Sequence, residues 1–337
     1  MQRALLCLTV LFFMVAFSPR SIAAAAAGGS YAAWQRHHET RLKDASLVRC
    51  YTFETATPGA PVPNLAGEKA AALNFRFQQK AGAPVEPLRV VAGRWPQMKA
   101  VRLDQVYLAT EPFPVTNKSF TAAAWAKLNG PGAHRGNNES ANGTLLSVGS
   151  GYWDGWRLTV SYPLRTLGFE IGRPKPSHSV GIRATGVLND AVWHHLVASW
   201  DGREMRLYVD GALASSGAYD GNYTPPAADG QFRIGYAGHG LGSVVFDVDE
   251  VTIYSRALSA EEILRAVEFC GPQAPGVRRN LAQLCRQRKD FSGAREHYRA
   301  LLESPALGLR DRLNALFELG RLCWQTVSYT HLTLPTS

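Results

Sequence analysis

The strongest constraint on the fold comes from residues 193–211, where two Asp-Gly dipeptides interrupt segments of alternating polarity. Residues 193–200 and 203–209 are rich in Trp, Val, Leu and Tyr, and Asp201-Gly202 lies between them. A type I′ turn favours Asp-Gly because both of its central residues take positive φ. In the second segment polar and apolar residues alternate, and the expected buried face consists of Met205, Leu207 and Val209. The pattern predicts a hairpin of a large antiparallel sandwich, with Asp210-Gly211 closing its second strand.

Three segments of the chain resemble one family of β-sandwiches. Residues 193–211 are similar to the central hairpin of the laminin-G-like jelly roll, which has the concanavalin-A-like fold. Within them, His195-x-Val197-x-Ser199-Trp200 resembles the pentraxin signature, with Val where pentraxins carry Cys. Residues 119–125 (SFTAAAW) resemble the early strand of the family, and residues 246–263 its last strand and trailing helix. The resemblance covers residues 47–270 and implies a mainly β chain folded as an antiparallel jelly-roll sandwich.

The first residues of the chain predict export. Arg3 gives a positive start, residues 4–17 are apolar apart from Thr9, and small residues with several Ala-x-Ala cleavage sites follow. This apolar run suits a signal peptide, whereas a bilayer span needs about 20 residues. We therefore expect a signal peptide at 1–27 and a secreted, periplasmic or cell-surface protein with no membrane span after cleavage. The alternative is an uncleaved N-terminal anchor.

The net charge of +9 is unevenly distributed along the chain. Residues 28–270 carry 24 Lys and Arg against 22 Asp and Glu, and residues 271–337 carry 10 against 5. The predicted sandwich thus has no basic excess of the kind that nucleic-acid binding requires.

Composition and periodicity divide the chain into further segments. Residues 28–46 predict a helical lead-in in which Trp34 and Leu42 are the apolar anchors, and His37 and His38 are expected on a solvated surface. Residues 47–270 form the predicted jelly roll. Residues 271–276 (GPQAPG) predict a linker.

Beyond the linker the period becomes helical. Residues 277–325 predict helices with tetratricopeptide-like spacing, carried by Leu281, Ala282, Cys285, Ala294, Tyr298 and Pro305. A second repeat begins and is not completed, and such helical repeats indicate a protein partner. Residues 326–337 are dense in Thr and Ser, have no helical period, and are predicted to be a non-native tail of a truncated array.

Four cysteines remain after removal of the predicted signal peptide, and they permit three pairings. They are Cys50, Cys270, Cys285 and Cys323. Terminal strands are neighbours in the family fold, so the resemblance implies a disulfide between Cys50 and Cys270. The alternative is a pair of free thiols.

Some jelly rolls of this class are glycoside hydrolases, which need two nearby carboxylates on one sheet face. The nearest match is Asp247-Val-Asp249-Glu250. In a regular strand Asp247 and Asp249 share a face and Glu250 points to the other, so the set is incomplete. We expect a structural role for these acids, although a hydrolase using Asp247 and Asp249 stays the alternative.

Candidate ligand-binding residues lie in two loops. One supplies Tyr152, Trp153 and Trp156, whose rings are able to stack on a sugar or to plug the end of the sandwich. The other supplies Asp220, Asn222 and Tyr223. The resemblance also implies a calcium loop at Asp154, but the second acidic loop of that site is replaced by 235–240 (GYAGHG). No other cofactor is indicated, and His194 and His195 point oppositely on one strand, as histidines at the edge of a core.

The sequence therefore predicts an exported, non-catalytic recognition module that binds a carbohydrate or an extracellular protein and is joined to a helical-repeat scaffold. The competing hypotheses are the glycoside hydrolase and an assembly protein in which the sandwich is a spacer. Ligand identity and oligomeric state stay open at this point.

Overall fold

The computed structural model describes residues 31–66, 72–77, 88–104, 106–112, 119–132, 141–149, 153–173, 175–176, 178–219, 221, 223, 230–236, 244–268, 275–287, 289–304 and 307–330. The predicted signal peptide lies outside these residues. In the part of the chain so described, no helix is long and apolar enough to cross a membrane.

Antiparallel strands form most of the described structure. They are β1 (Leu47–Tyr51), β2 (Asn74–Phe77), β3 (Arg89–Ala92), β4 (Lys99–Leu103), β5 (Val106–Pro112), β6 (Phe120–Pro131), β7 (Ala141–Val148), β8 (Trp156–Tyr162), β9 (Thr166–Ile171), β10 (Val180–Ala184), β11 (Trp193–Trp200), β12 (Glu204–Val209), β13 (Ala212–Ala218), β14 (Gln231–Ile234) and β15 (Val244–Tyr254). The helices are α1 (Tyr31–Arg41), α2 (Ala260–Glu268), α3 (Pro275–Gln287), α4 (Phe291–Leu302) and α5 (Leu309–Thr330).

The strands make two sheets that pack face to face as a sandwich, which confirms the predicted jelly-roll fold class. The front sheet has the order β13-β12-β11-β6-β15-β4-β3, with β1 paired to β15. The back sheet has the order β10-β9-β8-β7-β14-β5-β2.

The core lies between the two sheets and follows the two-residue period of the strands. On β6, Ala122, Ala124 and Ala126 face the back sheet and its large side chains. Phe169 and Phe232 of the back sheet are completely buried there, and each such burial is worth about 1.5–3 kcal/mol.

The outer face of the front sheet is also covered, so β11 is buried along its whole length. Trp125 and Trp193 project outward and pack against apolar residues of α2 and α3. A strand buried on both faces need not alternate in polarity, so the alternation expected for 193–200 does not hold where Leu196, Val197 and Ala198 follow one another.

The predicted hairpin is β11–β12, and Met205, Leu207 and Val209 face the core as expected. Its turn, however, is not type I′, because only Gly202 of the Asp201-Gly202 pair has positive φ, at 94°. The Asp201 carboxylate instead accepts hydrogen bonds from the backbone N–H groups of Arg203 and Glu204, at 2.9 and 2.8 Å. The dipeptide with two positive φ values, 51° and 82°, is Asp210-Gly211.

Helix α2 begins at a capping box. The Ser259 hydroxyl accepts from the Glu262 N–H at 3.2 Å, and the Glu262 carboxylate accepts from the Ser259 N–H at 2.8 Å. The apolar residues of α2 dock on the front sheet: Ile263 packs against Val197 and Tyr208, and Val267 lies beside Trp193.

This docking leads α2 across β6, β11 and β12, away from β1, where Cys50 lies. Cys50 is a buried free thiol packed against Leu47, Ala66 and Tyr254. The disulfide between Cys50 and Cys270 is therefore not formed in this structure, and Cys270 itself lies outside the described residues. Burial raises the pKa of the Cys50 thiol to about 12.

Three helices follow the sandwich. Ala282 of α3, Tyr298 and Leu301 of α4, and Ala315 and Leu322 of α5 share one apolar cluster. The Asp290 side chain caps α4 by accepting from the Gly293 N–H at 2.9 Å. The residues after 277 are helical as predicted, but α5 continues to Thr330, so the expectation that 326–337 lacks helix is wrong for its first five residues.

Candidate functional site

Two loops meet at one end of the sandwich, and glycines bring their backbones into contact. The Gly172 N–H donates to the Gly155 carbonyl oxygen at 2.9 Å. A Cβ on Gly172 would collide with the backbone of Asp154, so glycine is required at this crossing. The loop after β7 therefore lies directly against the loop after β9.

The second loop surrounds the predicted stacking residue Trp153 with polar groups. The His178 ring lies 4.9 Å from the indole ring, tilted by 37°, and the Lys175 ammonium lies 5.3 Å above the indole. Arg173 lies over the Tyr219 ring at 5.1 Å. Trp153 is half-buried, whereas Lys175 and His178 are exposed. We call Trp153, Asp154, Arg173, Lys175 and His178 the loop-end cluster.

Two other predicted ligand-binding residues belong to the core. Trp156 is 1% exposed and stacks on Phe120 with ring centroids 5.0 Å apart, because it begins β8 on the face that points inward. Its prediction as a ligand-binding residue is corrected here. Tyr223 is 8% exposed, and the centroid of its ring lies 5.9 Å from that of Trp200.

The Tyr223 hydroxyl of the second predicted loop lies within electrostatic reach of Asp154 in the first. Burial raises the pKa of this phenol, and the negative charge of Asp154 raises it further, which places Tyr223 and Asp154 near each other. The hydroxyl has no hydrogen-bond partner among the described residues. Tyr152, Asp220 and Asn222, the remaining predicted ligand-binding residues, lie outside the described part of the chain.

The predicted calcium site centres on Asp154. Within the described ranges, no group of three His, Cys, Asp or Glu side chains is arranged to hold a metal ion. Most of the second predicted loop, 235–240, falls outside those ranges. The described residues thus place no cluster of three carboxylates around Asp154, although calcium also accepts other oxygen ligands.

The predicted acidic pair is buried on the outer face of the front sheet. Asp247 has no exposed surface and accepts from Arg102 Nε at 2.7 Å and from Lys127 Nζ at 2.8 Å. Burial alone would raise the pKa of Asp247, but these two cations hold it below its usual range. A glycosidase carboxylate has to reach its substrate, and Asp247 is closed off by its partners.

A β-bulge alters the direction of the next acid. Asp249 pairs with Trp125 and Val251 pairs with Ala124, which leaves Glu250 as an extra residue with φ of 44°. Both Asp249 and Glu250 consequently reach the same guanidinium, that of Arg94. The expectation that Glu250 points to the opposite face is wrong, because a bulge breaks the two-residue period.

Glu250 is the centre of a buried ionic cluster under α1. It accepts from Arg41, from Arg94, and from Trp34 Nε1 at 2.8 Å. Burial would raise the pKa of Glu250, but Arg41 and Arg94 outweigh burial and hold it far below its usual range. His38 stacks on Trp34 with ring centroids 5.0 Å apart, so His37 and His38 are half-buried rather than fully solvated.

Beside this cluster, His195 is neutral near neutral pH and Asp249 is only partly ionised. Burial raises the pKa of Asp249 to about 7 against the opposing charge of Arg94, and burial lowers the pKa of His195 to about 4. Asp249 Oδ1 and His195 Nδ1 are both buried without a hydrogen-bond partner. Asp249, with no exposed surface, is thus as inaccessible to a substrate as Asp247.

His194 belongs to a different contact, at the junction of sandwich and helices. Its Nδ1 lies 2.8 Å from Asp210 Oδ2, and its Nε2 accepts from the Asn189 N–H at 3.0 Å. These contacts fix the tautomer with the proton on Nδ1. Asn280 of α3 donates to the Asp210 carbonyl oxygen at 2.6 Å, which ties α3 to the β12–β13 turn.

A cleft of about 900 Å³ opens beside this junction, between the β12–β13 turn and helices α3 and α5. The charged groups on its walls already pair with each other, Arg165 with Asp190 at 2.6 Å and Arg279 with Asp311 at 3.0 Å. Its lining contains no Phe, Tyr or Trp side chain. The cleft therefore offers a ligand no indole or phenol ring to stack on, and these charged groups are already committed to each other.

Two features of these sites were not predicted from the sequence. Lys175 and His178 lie in a Pro-containing segment, and nothing in the local sequence pattern places them on Trp153. The cations around Glu250 come from positions 41 and 94, far away in sequence. The signal for them was the strand 246–254 itself, because acids within an apolar strand buried on both faces require cationic partners.

Comparisons with known proteins agree with the fold. Among curated proteins, none matches the sequence. The binding domain of Paraclostridial Mosquitocidal Protein 1 aligns with a TM-score of 0.48 and 15% identity over 66% of this chain and 51% of its own. The botulinum neurotoxin DC binding domain in complex with SialylT aligns with a TM-score of 0.47 and 11% identity. That alignment covers 66% of this chain and 50% of the toxin domain. The chain thus spans about half the length of these two toxin domains.

Domain 4 of AbnA, a GH43 extracellular arabinanase from Geobacillus stearothermophilus solved in complex with arabinotriose, aligns with a TM-score of 0.48 and 16% identity. That alignment covers 66% of this chain and 98% of the domain. No comparison supports the tetratricopeptide assignment of the helices. Residues 103–264, from the end of β4 into α2, match the laminin G model of the concanavalin A-like lectin/glucanases superfamily.

Proposed function

We propose that this chain is a non-catalytic binding module and that its ligand site is the loop-end cluster. The observation that carries the proposal is the half-buried Trp153 indole, which contacts two exposed side chains of a second loop. Indole faces bind the apolar face of a sugar ring by stacking, and they are otherwise uncommon at a solvated loop.

The charge of the cluster selects the class of ligand. Arg173 and Lys175 are cationic, and Asp154 is the opposing acid. Lys175 already lies over the indole, the position that a ligand would share. An anionic saccharide, bearing carboxylate or sulfate groups, satisfies both the indole and these cations. Guanidinium and ammonium groups bind such anions by charge-assisted hydrogen bonds.

The burial of the acids argues against the hydrolase alternative. A retaining or inverting glycosidase needs two accessible carboxylates flanking the bond to be cleaved. Asp247 and Asp249 have no exposed surface and face Arg102 and Arg94. We therefore assign these acids to the stability of the front sheet rather than to catalysis.

A glycan array tests the proposal, with neutral, uronate-bearing, sialylated and sulfated glycans printed side by side. The chain is expected to bind acidic glycans, with an affinity that falls as salt rises because surface charges are screened. Trp153→Ala should weaken the best interaction at least tenfold in calorimetry. The matched control is Leu164→Ala, because Leu164 is 66% exposed in the β8–β9 turn, at the opposite end of that hairpin from the loops.

Two results would contradict the proposal. One is binding that is equal for wild type and Trp153→Ala. The other is polysaccharide cleavage that disappears in Asp247→Asn or Asp249→Asn, which would restore the hydrolase hypothesis.

Export and a scaffold role for the helices complete the proposed function. The support for export is the sequence of residues 1–27, and an acidic glycan on a cell surface or in an extracellular matrix is a ligand that an exported module meets. Expression with the native N-terminus, followed by N-terminal sequencing of the protein outside the cytoplasm, tests this part.

A further inference from the structure

Helix α5 carries an exposed apolar stripe that the sandwich does not use. The helix packs on α4 through Ala315 and Leu322, which are 2% and 1% exposed. On the opposite face five large apolar side chains are at least half exposed: Leu309, Leu313, Leu316, Phe317 and Trp324, at 76, 58, 50, 67 and 76%. Contiguous apolar patches of this kind mark interaction surfaces.

The stripe has a symmetric spacing. In chain order its positions are 309, 313, 316, 317, 320 and 324, and reversing the direction of the helix reproduces the same intervals. Position 309 then faces 324, position 313 faces 320, and position 316 faces 317. An isologous two-fold interface requires this kind of self-complementarity.

The sizes of the side chains also match under the reversal. Leu313 faces Gly320, and a Cβ placed on Gly320 would have no atom within 4 Å in the single chain. The space beside Gly320 is therefore open for a large side chain from a second helix. Leu309 meets Trp324, and Leu316 meets Phe317, so each large residue has an apolar partner.

We propose that α5 pairs with α5 of a second copy of this chain in an antiparallel, two-fold symmetric dimer. Taking about 150–200 Å² for each of the five large side chains, about two-thirds of it exposed, the stripe supplies roughly 500–600 Å² per copy. Specific interfaces bury about 800 Å² per partner, and the small ones are weak. An interface of this size is at the weak end of the range, so we expect a dissociation constant on the order of 1–100 µM.

Sedimentation velocity of the full chain between about 1 and 100 µM tests the proposal. Wild type is expected to change from monomer to dimer over this range. Phe317→Glu places a charge at the centre of the interface and should raise the dissociation constant more than tenfold. Leu164→Glu is the matched control and should leave the constant unchanged, because Leu164 is 66% exposed at the β8–β9 turn.

Gly320→Leu separates pairing from folding. The single chain has room for the new side chain, and replacing a helical glycine raises helix stability, so the melting temperature should stay equal or rise. The new side chain occupies the space of the partner's Leu313, so the dissociation constant should rise at least tenfold. Adding Leu313→Ala should restore most of the affinity.

Three outcomes would overturn the proposal. They are a monomer at all concentrations, a dimer that survives Phe317→Glu, and a Gly320→Leu variant that dimerises like wild type. The first includes the case in which the stripe binds a different protein. None of them bears on the loop-end cluster, so this test is independent of the glycan experiments.

Discussion

Replacing Glu250 with Gln is the sharpest test of what holds the front sheet and α1 together. The substitution keeps the shape of the side chain and removes its charge. It leaves two guanidiniums whose side chains are almost inaccessible, that of Arg94 at 3% exposure and that of Arg41 at 11%. Removing one partner of a buried ion pair costs about 3–5 kcal/mol, because the remaining charge has lost its solvation.

Asp247→Asn is the matched control on the same strand. Its cationic partners are better solvated, since the side chain of Arg102 is 33% exposed and that of Lys127 is 21% exposed. Water is able to replace the lost carboxylate, so we expect a cost of about 1–2 kcal/mol. Asp247 and Glu250 are both buried. The two variants therefore differ mainly in how exposed the remaining cations are to water.

Equilibrium unfolding in urea measures both variants. A second measurement, limited trypsin digestion, should release the segment 31–43 from Glu250→Gln first, because Trp34 and Arg41 attach α1 to this carboxylate. Equal losses of about 1 kcal/mol in the two variants would refute the argument, since burial of the unpaired cations would then carry no cost.

Three further predictions concern pH and buried polar groups. Burial lowers the pKa of His195 in the folded state from 6.5 to about 4. Its contribution to the free energy of unfolding, about 3 kcal/mol, is therefore present above pH 6.5 and is lost as the pH falls to 4. Asp249 acts in the opposite direction, because its pKa is raised to about 7 and its protonation stabilises the folded state as the pH falls. The free energy of unfolding of Asp249→Asn should therefore decrease more steeply with falling pH than that of wild type. Tyr223→Phe removes an unpartnered buried hydroxyl and should leave the free energy of unfolding unchanged or raise it by about 1 kcal/mol in urea titrations; a loss of 2 kcal/mol would reveal a missed partner. The buried Cys50 thiol, with its raised pKa, should not react with a thiol reagent at pH 8 until the protein unfolds; rapid labelling of the native protein would contradict its burial.

The fold was predictable because its signals are local. The alternation in 203–209 and the apolar run of β11 predict strands without knowledge of any partner, and both strands are present. The capping pattern at Ser259 and Glu262 and the stripe of α2 are likewise carried by neighbouring residues.

What the sequence did not predict depends on contacts between distant residues. The bulge at Glu250 changes which face an acid occupies, and a two-residue period cannot register one extra residue. Helix α2 runs over β11 and β12 rather than towards β1, and Cys50 is a free thiol. An apolar stripe in the sequence does not indicate which strands the helix will cover.

The candidate site was predicted in part. Trp153 was identified from its loop, but Trp156 differs from it only in lying at the start of β8, where the strand turns its side chain inward. Its cationic neighbours in 173–178 come from another loop. Their approach depends on the close crossing of Gly155 and Gly172.

The most direct test of the proposed site is a crystal structure of the chain with the acidic glycan that binds best on the array. We expect a sugar ring against the Trp153 indole and a carboxylate or sulfate oxygen within hydrogen-bond distance of Lys175 or Arg173. A glycan bound instead in the cleft beside Asp210, or on the front sheet near Asp247, would contradict it.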